Sequence, residues 1–366
     1  MSIEFKGAKL TVKLKCQAPI IHFQPNTKGA TLRASEVKPK FDRYLAKHCQ
    51  TVASAWKVDP GKEALNYKMS FVDKSPEIVE NWPRNIIYFG DKEGKKLVWT
   101  NPTLTITCFI PELQEAICKH LEKFFIVTNF GTMQGKGFGS FLVEGSTVKS
   151  VMTLMQEYNL DTIHRVETCK DFTSQMRFIK QFYTLTKSGN NSGIEAEYKR
   201  SALFEYMHTK NIDNEKAYLK QEGIMVKAGT HKPHKVSEKN NPKYVRIVLG
   251  QAPVITVRER NVKGLQGKVT IRHSAKSIDR FPSPLTFKII NNYIYIIPKP
   301  IPKEIFNQNY QFTSKISNNI ETRTLRTLSE FDLQDFLNYA VDYYNNEGKA
   351  AFPKSHYKIK TFARRR

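Results

Sequence analysis

The chain has 366 residues, 40% of them hydrophobic, and 58 Lys+Arg against 34 Asp+Glu give it a formal net charge of +24. That apolar content fills one large or two medium cores, and the cationic excess favours a polyanionic partner, nucleic acid first. No stretch reaches the roughly 20 apolar residues of a bilayer span, and Lys6, Lys9, Lys13 and Lys15 interrupt the start where a signal peptide needs an apolar run, so a soluble, cytoplasmic protein with no membrane partner is expected.

From Lys9 to Leu14 apolar and basic residues alternate, which predicts a strand with one buried face and a cationic outer face. Ser35 is placed to cap a helix whose apolar members Val37, Phe41, Leu45, Cys49 and Val52 recur at helical spacing, with Pro39 in its first turn. Lys38, Lys40, Arg43 and Lys47 form its other face. Asn66 to Val72, Arg84 to Phe89 and Thr103 to Ile110 are strand candidates. A second helix opens at Pro111 and Glu112 and carries Leu113, Ile117, Leu121, Phe124 and Phe125 on one face.

Phe130 to Phe141, with Gly131, Gly135, Gly137 and Gly139, then makes a glycine-rich turn into a short alternating strand that ends at Gly145. Its N–H groups and Lys136 are suited to phosphate oxygens. The spacing is not that of a nucleotide P-loop, since Gly137 follows Lys136 where Ser or Thr is required. Nor is it a dinucleotide fingerprint, because it follows a helix and feeds a strand. A tight helix-to-strand turn without a ligand stays open as the plain alternative. Strand, helix, strands, helix, glycine turn and strand make a β-α-β-β-α-β plan.

Gly145 to Thr168 reads as a connection with its own short helical piece. A helix from about Phe172 buries Met176, Ile179, Phe182 and Tyr183, and another spans Tyr198 to His208. Residues 210–243 turn charged and irregular and are expected to be an insertion. Strands follow at Val245 to Leu249 and Val269 to Arg272, and Leu285 to Ile290 pairs with Tyr293 to Ile297 across Asn291-Asn292. A last helix is expected near Ser329, with Asp332 as a capping-box partner. The expected division is 1–150, an N-terminal domain closed by the glycine turn; 151–243, a helical connection with the charged insertion; and 244–366, a degenerate second copy of the plan.

The five cysteines, Cys16, Cys49, Cys108, Cys118 and Cys169, are scattered and odd in number, which reads as buried thiols in a reducing compartment. His231 and His234 lack the companion ligands of a zinc site. No metal and no cofactor are expected.

Three patches resemble the RAMP superfamily of CRISPR-associated RNA-binding proteins. The helix followed by Gly131-Thr132-Met133-Gln134-Gly135-Lys136-Gly137-Phe138-Gly139-Ser140-Phe141 is similar to its signature loop. Leu10 to Leu14, then Ala18 to Phe23 and Gly29 to Arg33, resembles its first strand, loop and helix. Asp279-Arg280-Phe281-Pro282-Ser283-Pro284-Leu285 resembles the R-x-x-S-P-L strand entry of two-domain members. The resemblance implies an α+β fold of two ferredoxin-like, RRM-related domains with antiparallel sheets, the glycine-rich loop closing the first. It also implies a non-catalytic subunit of a class 1, type III-like CRISPR effector that binds guide RNA (crRNA) and other effector subunits, with target RNA as a further candidate partner. An end-capping subunit gripping the repeat-derived tag fits the two-domain length.

Single-stranded RNA is held by cations along its backbone and aromatic rings under its bases. The stacking candidates are Phe23, Phe138 and Phe281. The backbone candidates are Lys28, Arg33, Gly135, Lys136, Gly137, Arg200, Arg258, Arg260, Lys263 and Arg280. A repeated backbone subunit remains an alternative, as does a metal-independent endoribonuclease of the kind some RAMP proteins are. His22 and His48 are the candidates for the general acid/base of that enzyme.

Overall fold

The computed structural model describes residues 3–21, 31–49, 52, 54–73, 75–79, 96–146, 162–168, 171–190, 199–221, 242–251, 254–258, 266–273, 281–316, 319–352 and 356–363. They form a mixed α+β fold with fifteen strands and six α-helices among the described residues. Two compact units arise, each assembled from separate stretches of chain. The first comprises Met1–Lys180, Thr286–Ile297 and Tyr357–Arg366, the second Gln181–Leu285 and Pro298–His356.

In the first unit, strand β1 (Lys9–Ala18) alternates as its sequence predicts, with Leu10, Leu14 and Ala18 buried and Lys9, Thr11, Lys13 and Lys15 exposed. After β2 (Ile20–Ile21), helix α1 (Ala34–His48) starts one residue before Ser35, with Arg33 at the N-cap. Pro39 therefore falls in the second turn, and a backbone hydrogen bond is given up there. Strands β3 (Lys68–Val72), β4 (Glu77–Val79), β5 (Leu97–Trp99) and β6 (Thr103–Thr107) follow, then α2 (Pro111–Val127), with its proline in the first turn, and β7 (Ser140–Val143). Strands β2, β5 and β4 make a small sheet of their own, in the order β2-β5-β4.

The main sheet has the order β3-β6-β1-β7, and every neighbouring pair is antiparallel. Numbered as the four strands of a β-α-β-β-α-β unit, the order is second, third, first, fourth, the ferredoxin-like arrangement. Leu10, Leu14, Leu104 and Ile106 from the sheet pack with Val37, Phe41 and Leu45 of α1 and with Leu113, Ile117, Leu121, Phe124 and Phe125 of α2. The periodicity that predicted each element has the same cause: one face of each is buried against another.

The plan recurs. Strand β8 (Thr162–Glu167), α3 (Phe172–Lys187), α4 (Ala202–Thr209) and α5 (Glu215–Gln221) precede β9 (Val254–Arg258) and β10 (Gln266–His273). Then come β11 (Leu285–Ile290), β12 (Tyr293–Pro298), β13 (Asn309–Ile316), β14 (Asn319–Arg326), α6 (Leu333–Ala351) and β15 (Ile359–Ala363). The sheet β11-β12-β8-β15 repeats the second-third-first-fourth order, with β8, β11, β12 and β15 as its four strands. A separate sheet, β14-β13-β10-β9, is built from the strands inserted between.

Several local readings change. Residues 246–249 form a short 3-10 turn ending at Gly250, whose φ of 104° no ordinary strand residue adopts. Asp332 is the N-cap of α6 itself, its side chain accepting from Gln334 N and Asp335 N at 2.9 Å, so that helix begins four residues after Ser329. Asn291 turns the β11–β12 hairpin with φ of 54°, as Asn-Asn suggested. No helix among the described residues is long and apolar enough to cross a membrane.

Candidate nucleic-acid interface

The glycine turn is held from several sides. Gly131, Gly137 and Gly139 have φ of 77°, 92° and 63°. A Cβ at Gly139 would stand 1.9 Å from Phe130 O, and one at Gly137 would stand 2.8 Å from Ile179 Cδ1. These glycines are thus required by close packing as well as by the backbone turn. Phe130 N donates to Gly139 O, Thr132 N to Ile21 O, Lys136 N to Met133 O and Gly139 N to Pro19 O, at 3.0, 2.8, 2.8 and 2.9 Å. Gly131 N donates to Glu36 Oε1 at 2.7 Å, and Lys40 bridges that carboxylate to Gln134 Oε1, both at 2.8 Å. The first turns of α1, with Arg33 at their start, therefore buckle the loop down.

Strand β11 closes its other side. Phe287 N donates to Gly135 O at 3.3 Å, Asn129 Nδ2 to Phe287 O at 2.8 Å and Ser140 Oγ to Ile289 O at 2.7 Å. Lys288, fully buried, donates to Phe125 O, Thr128 O and Phe141 O at 2.6, 3.0 and 3.0 Å. Its ammonium sits at the C-terminal end of α2, where a positive charge is favoured. Phe138 is buried with its ring edge-on to Phe172, centroids 5.6 Å apart, and the Nζ of Lys136 is buried.

The outer face of the first sheet is different. Register sets Lys9 and Lys68 on either side of Thr107, Thr11 and Ser70 beside Thr105, and Lys13 and Val72 beside Thr103. Lys15 continues the row along β1, about 7 Å from Lys13. The four strands of this sheet contain four lysines and no carboxylate; the nearest acids along the chain are Asp73, one residue past β3 and bonded to Thr100 Oγ1, and Glu144, one residue past β7. Among the described residues no ion pair engages Lys9, Lys13, Lys15 or Lys68. Two residues beyond Thr107, Phe109 is 81% exposed, the largest exposure among the large hydrophobic side chains described.

Such a surface offers ammonium donors for phosphates, hydroxyls for riboses and one bare aromatic ring for a base. The sequence marked β1 as cationic outside but passed over Lys68 and Phe109. A signal was present: Thr103, Thr105 and Thr107 put polar residues on the outer side of β6, and Phe109 breaks that alternation.

The remaining candidates do not gather there. Lys38 pairs with Asp42 at 2.8 Å, so α1 offers Arg43 and Lys47 as its exposed cations. His48 ends α1, half-buried, and burial together with Lys47 and Lys123 lowers its pKa. Arg200, in the second unit, lies 3.5 Å from Glu205, and its carbonyl accepts from Tyr343 Oη at 2.8 Å. Arg258 is the last residue of β9, opposite Gln266, and Phe281 is buried. His22, Phe23, Lys28, Arg260, Lys263 and Arg280 lie outside the described residues, as do His231 and His234. Of the cysteines, Cys16, Cys49, Cys108 and Cys118 are free thiols, and burial pushes Cys16 up to about 12.

Compared with known families, residues 7–190 match the family model described as the Cmr1 N-terminal domain, and residues 198–361 match the one described as the Cmr1 C-terminal domain. No curated protein matches the chain.

Proposed function

Since the chain belongs to the Cmr1 family, and so is a subunit of a multisubunit type III CRISPR effector, we propose that it is the non-catalytic subunit that holds guide RNA on the outer face of its first ferredoxin-like sheet. The observation that carries this reading is the carboxylate-free row Lys9, Lys13, Lys15 and Lys68, interleaved with Thr11, Ser70, Thr103, Thr105 and Thr107 and flanked by the bare ring of Phe109. In this reading the lysines neutralise successive phosphates and release their counterions. Phe109 stacks a splayed base, and the glycine turn, fastened by Glu36, Lys40 and β11, fixes the adjoining strand β7.

The assembly role is that of a terminal subunit, one copy at an end of the guide. Its support is the two-domain length, in which both copies of the fold lie in one chain. The partners are guide RNA, target RNA paired to it, and neighbouring effector subunits.

The test is photocrosslinking in the reconstituted effector, with 4-thiouridine placed at successive guide positions. Crosslinks are expected at Phe109 and in peptides of β1, β3 and β6, confined to one end of the guide, with no cleavage of guide precursor by the subunit in EDTA. Crosslinks spread along the whole guide would indicate a repeated subunit, and cleavage lost on His48→Ala would indicate the endoribonuclease.

A further inference from the structure

A second cationic surface belongs to the other unit. In the sheet β14-β13-β10-β9 the inner side is fixed by β13 and β14. Tyr310, Phe312 and Leu325 are buried, and Tyr244 packs edge-on against Tyr310 and Phe312 with ring centroids 5.2 and 5.1 Å apart. The alternate residues Gln311, Thr322, Thr324 and Arg326 are exposed, and Thr313 meets Thr322, Oγ1 to Oγ1, at 3.1 Å.

Directly opposed residues of antiparallel strands share a face, so the register carries this outer side across the sheet. Gln311 stands between Arg272 and Thr324, and Thr313 between Thr270 and Thr322. On β10, Lys268 alternates with Thr270 and Arg272 and is opposed by Thr256 of β9, with Arg258 two residues further along β9. Lys315 continues the same side of β13 beyond Thr313, as Arg326 continues that of β14 beyond Thr324. The outer face thus takes five cations, at least one from each strand, and no carboxylate. Glu321, the one acid in the four strands, falls on the other face, paired with Ser314.

Two features set this face apart from the β1 sheet. Its cations are dispersed over four strands, about 14 Å across, where those of the first unit are strung mainly along β1. None of its positions is aromatic, so it has no platform for an unpaired base. Positive charge interspersed with hydroxyl and amide groups matches the phosphates and 2′-hydroxyls of an A-form duplex, whose bases are occupied with each other.

We infer that the outer face of β14-β13-β10-β9 binds double-stranded RNA through its backbone, without reading its sequence. The inference rests on the function proposed above only for the source of such a duplex, guide paired with target.

The experiment measures by fluorescence anisotropy, over a range of salt concentrations, the affinity of the full chain for an RNA duplex of about 16 base pairs, for one of its strands alone and for a DNA duplex of the same sequence. In Lys268→Gln/Arg272→Gln/Lys315→Gln the affinity for RNA duplex should fall about 10- to 100-fold and the slope of log affinity against log salt by about 2 to 3, with single-strand affinity held within about twofold. Lys268→Arg/Arg272→Lys/Lys315→Arg, which keeps the charges, should bind the duplex like the intact chain. DNA duplex, lacking the 2′-hydroxyls, should bind the intact chain at least about fivefold more weakly, the worth of one hydrogen bond. Duplex binding unchanged in the glutamine variant, lost equally in the charge-keeping one, or no tighter for RNA than for DNA overturns the inference, as does a parallel loss of single-strand binding. The first-sheet variant Lys9→Glu/Lys13→Glu/Lys15→Glu separates the two readings. It should lose the single strand and keep the duplex; if it keeps both, the guide-RNA reading fails and this one stands, and if it alone loses the duplex, only this one fails.

Discussion

Lys288 shows how a single side chain acquires a role that its sequence neighbourhood conceals. It sits in the apolar run Leu285–Ile290, where a lysine suggests an outward-facing position, yet it is fully buried with three main-chain carbonyls as partners. A buried ammonium persists only when its donors are satisfied. Replacing it by Met keeps the stem but leaves the carbonyls of Phe125, Thr128 and Phe141 without it. Lys288→Met is therefore expected to cost about 2 to 4 kcal/mol, read as a lower denaturation midpoint. An unchanged midpoint would mean those carbonyls find other partners. Phe109 is the opposite case: an apolar residue that faces water although it flanks a strand with a well-formed inner face. Neither residue is recognisable from its type, because each is assigned by strands distant in sequence.

Among the elements, β1, α1 and α2 were legible because alternation and 3.6-residue periodicity record a single buried face. Strand β8 was not, for its Thr-Ile-His-Arg-Val-Glu carries a histidine, His164, that is buried and bonded to Thr361 at 3.0 Å. A strand that buries polar groups lacks the alternation that would announce it. The glycine turn was legible as a turn, and its position between helix and strand was read correctly. The packing that occupies it comes from α1 and β11, and no local pattern encodes those contacts. Two glycines separate the causes. Gly145 has φ of 92° with nothing within 4 Å of an added Cβ, so Gly145→Ala should cost only the backbone term, about 1 to 2 kcal/mol. At Gly139 the Cβ meets a backbone oxygen that cannot yield, and Gly139→Ala should cost at least about 3 kcal/mol or prevent folding. Equal losses at the two sites would show that the close packing around Gly139 is dispensable.

For the whole molecule, the excess of 58 Lys+Arg over 34 Asp+Glu predicted a polyanionic partner without saying where it binds. The fold divides the cations into kinds. Lys38 and Lys40 pair with acids and Lys288 with carbonyls, whereas Lys9, Lys13, Lys15 and Lys68 stand on a sheet surface without carboxylates. Two ferredoxin-like sheets and membership of the Cmr1 family agree with a subunit of a type III CRISPR effector, and the resemblance visible in three short patches pointed the same way. The most direct measurement is the salt dependence of guide-RNA affinity for the intact chain, for Lys9→Glu/Lys13→Glu/Lys15→Glu and for Phe109→Ala. The triple variant should bind at least about 100-fold more weakly, with the slope of log affinity against log salt reduced by about 2 to 3, while Phe109→Ala should lose about 5- to 150-fold with an unchanged slope. Wild-type affinity and slope in the triple variant would place the RNA elsewhere and contradict the account.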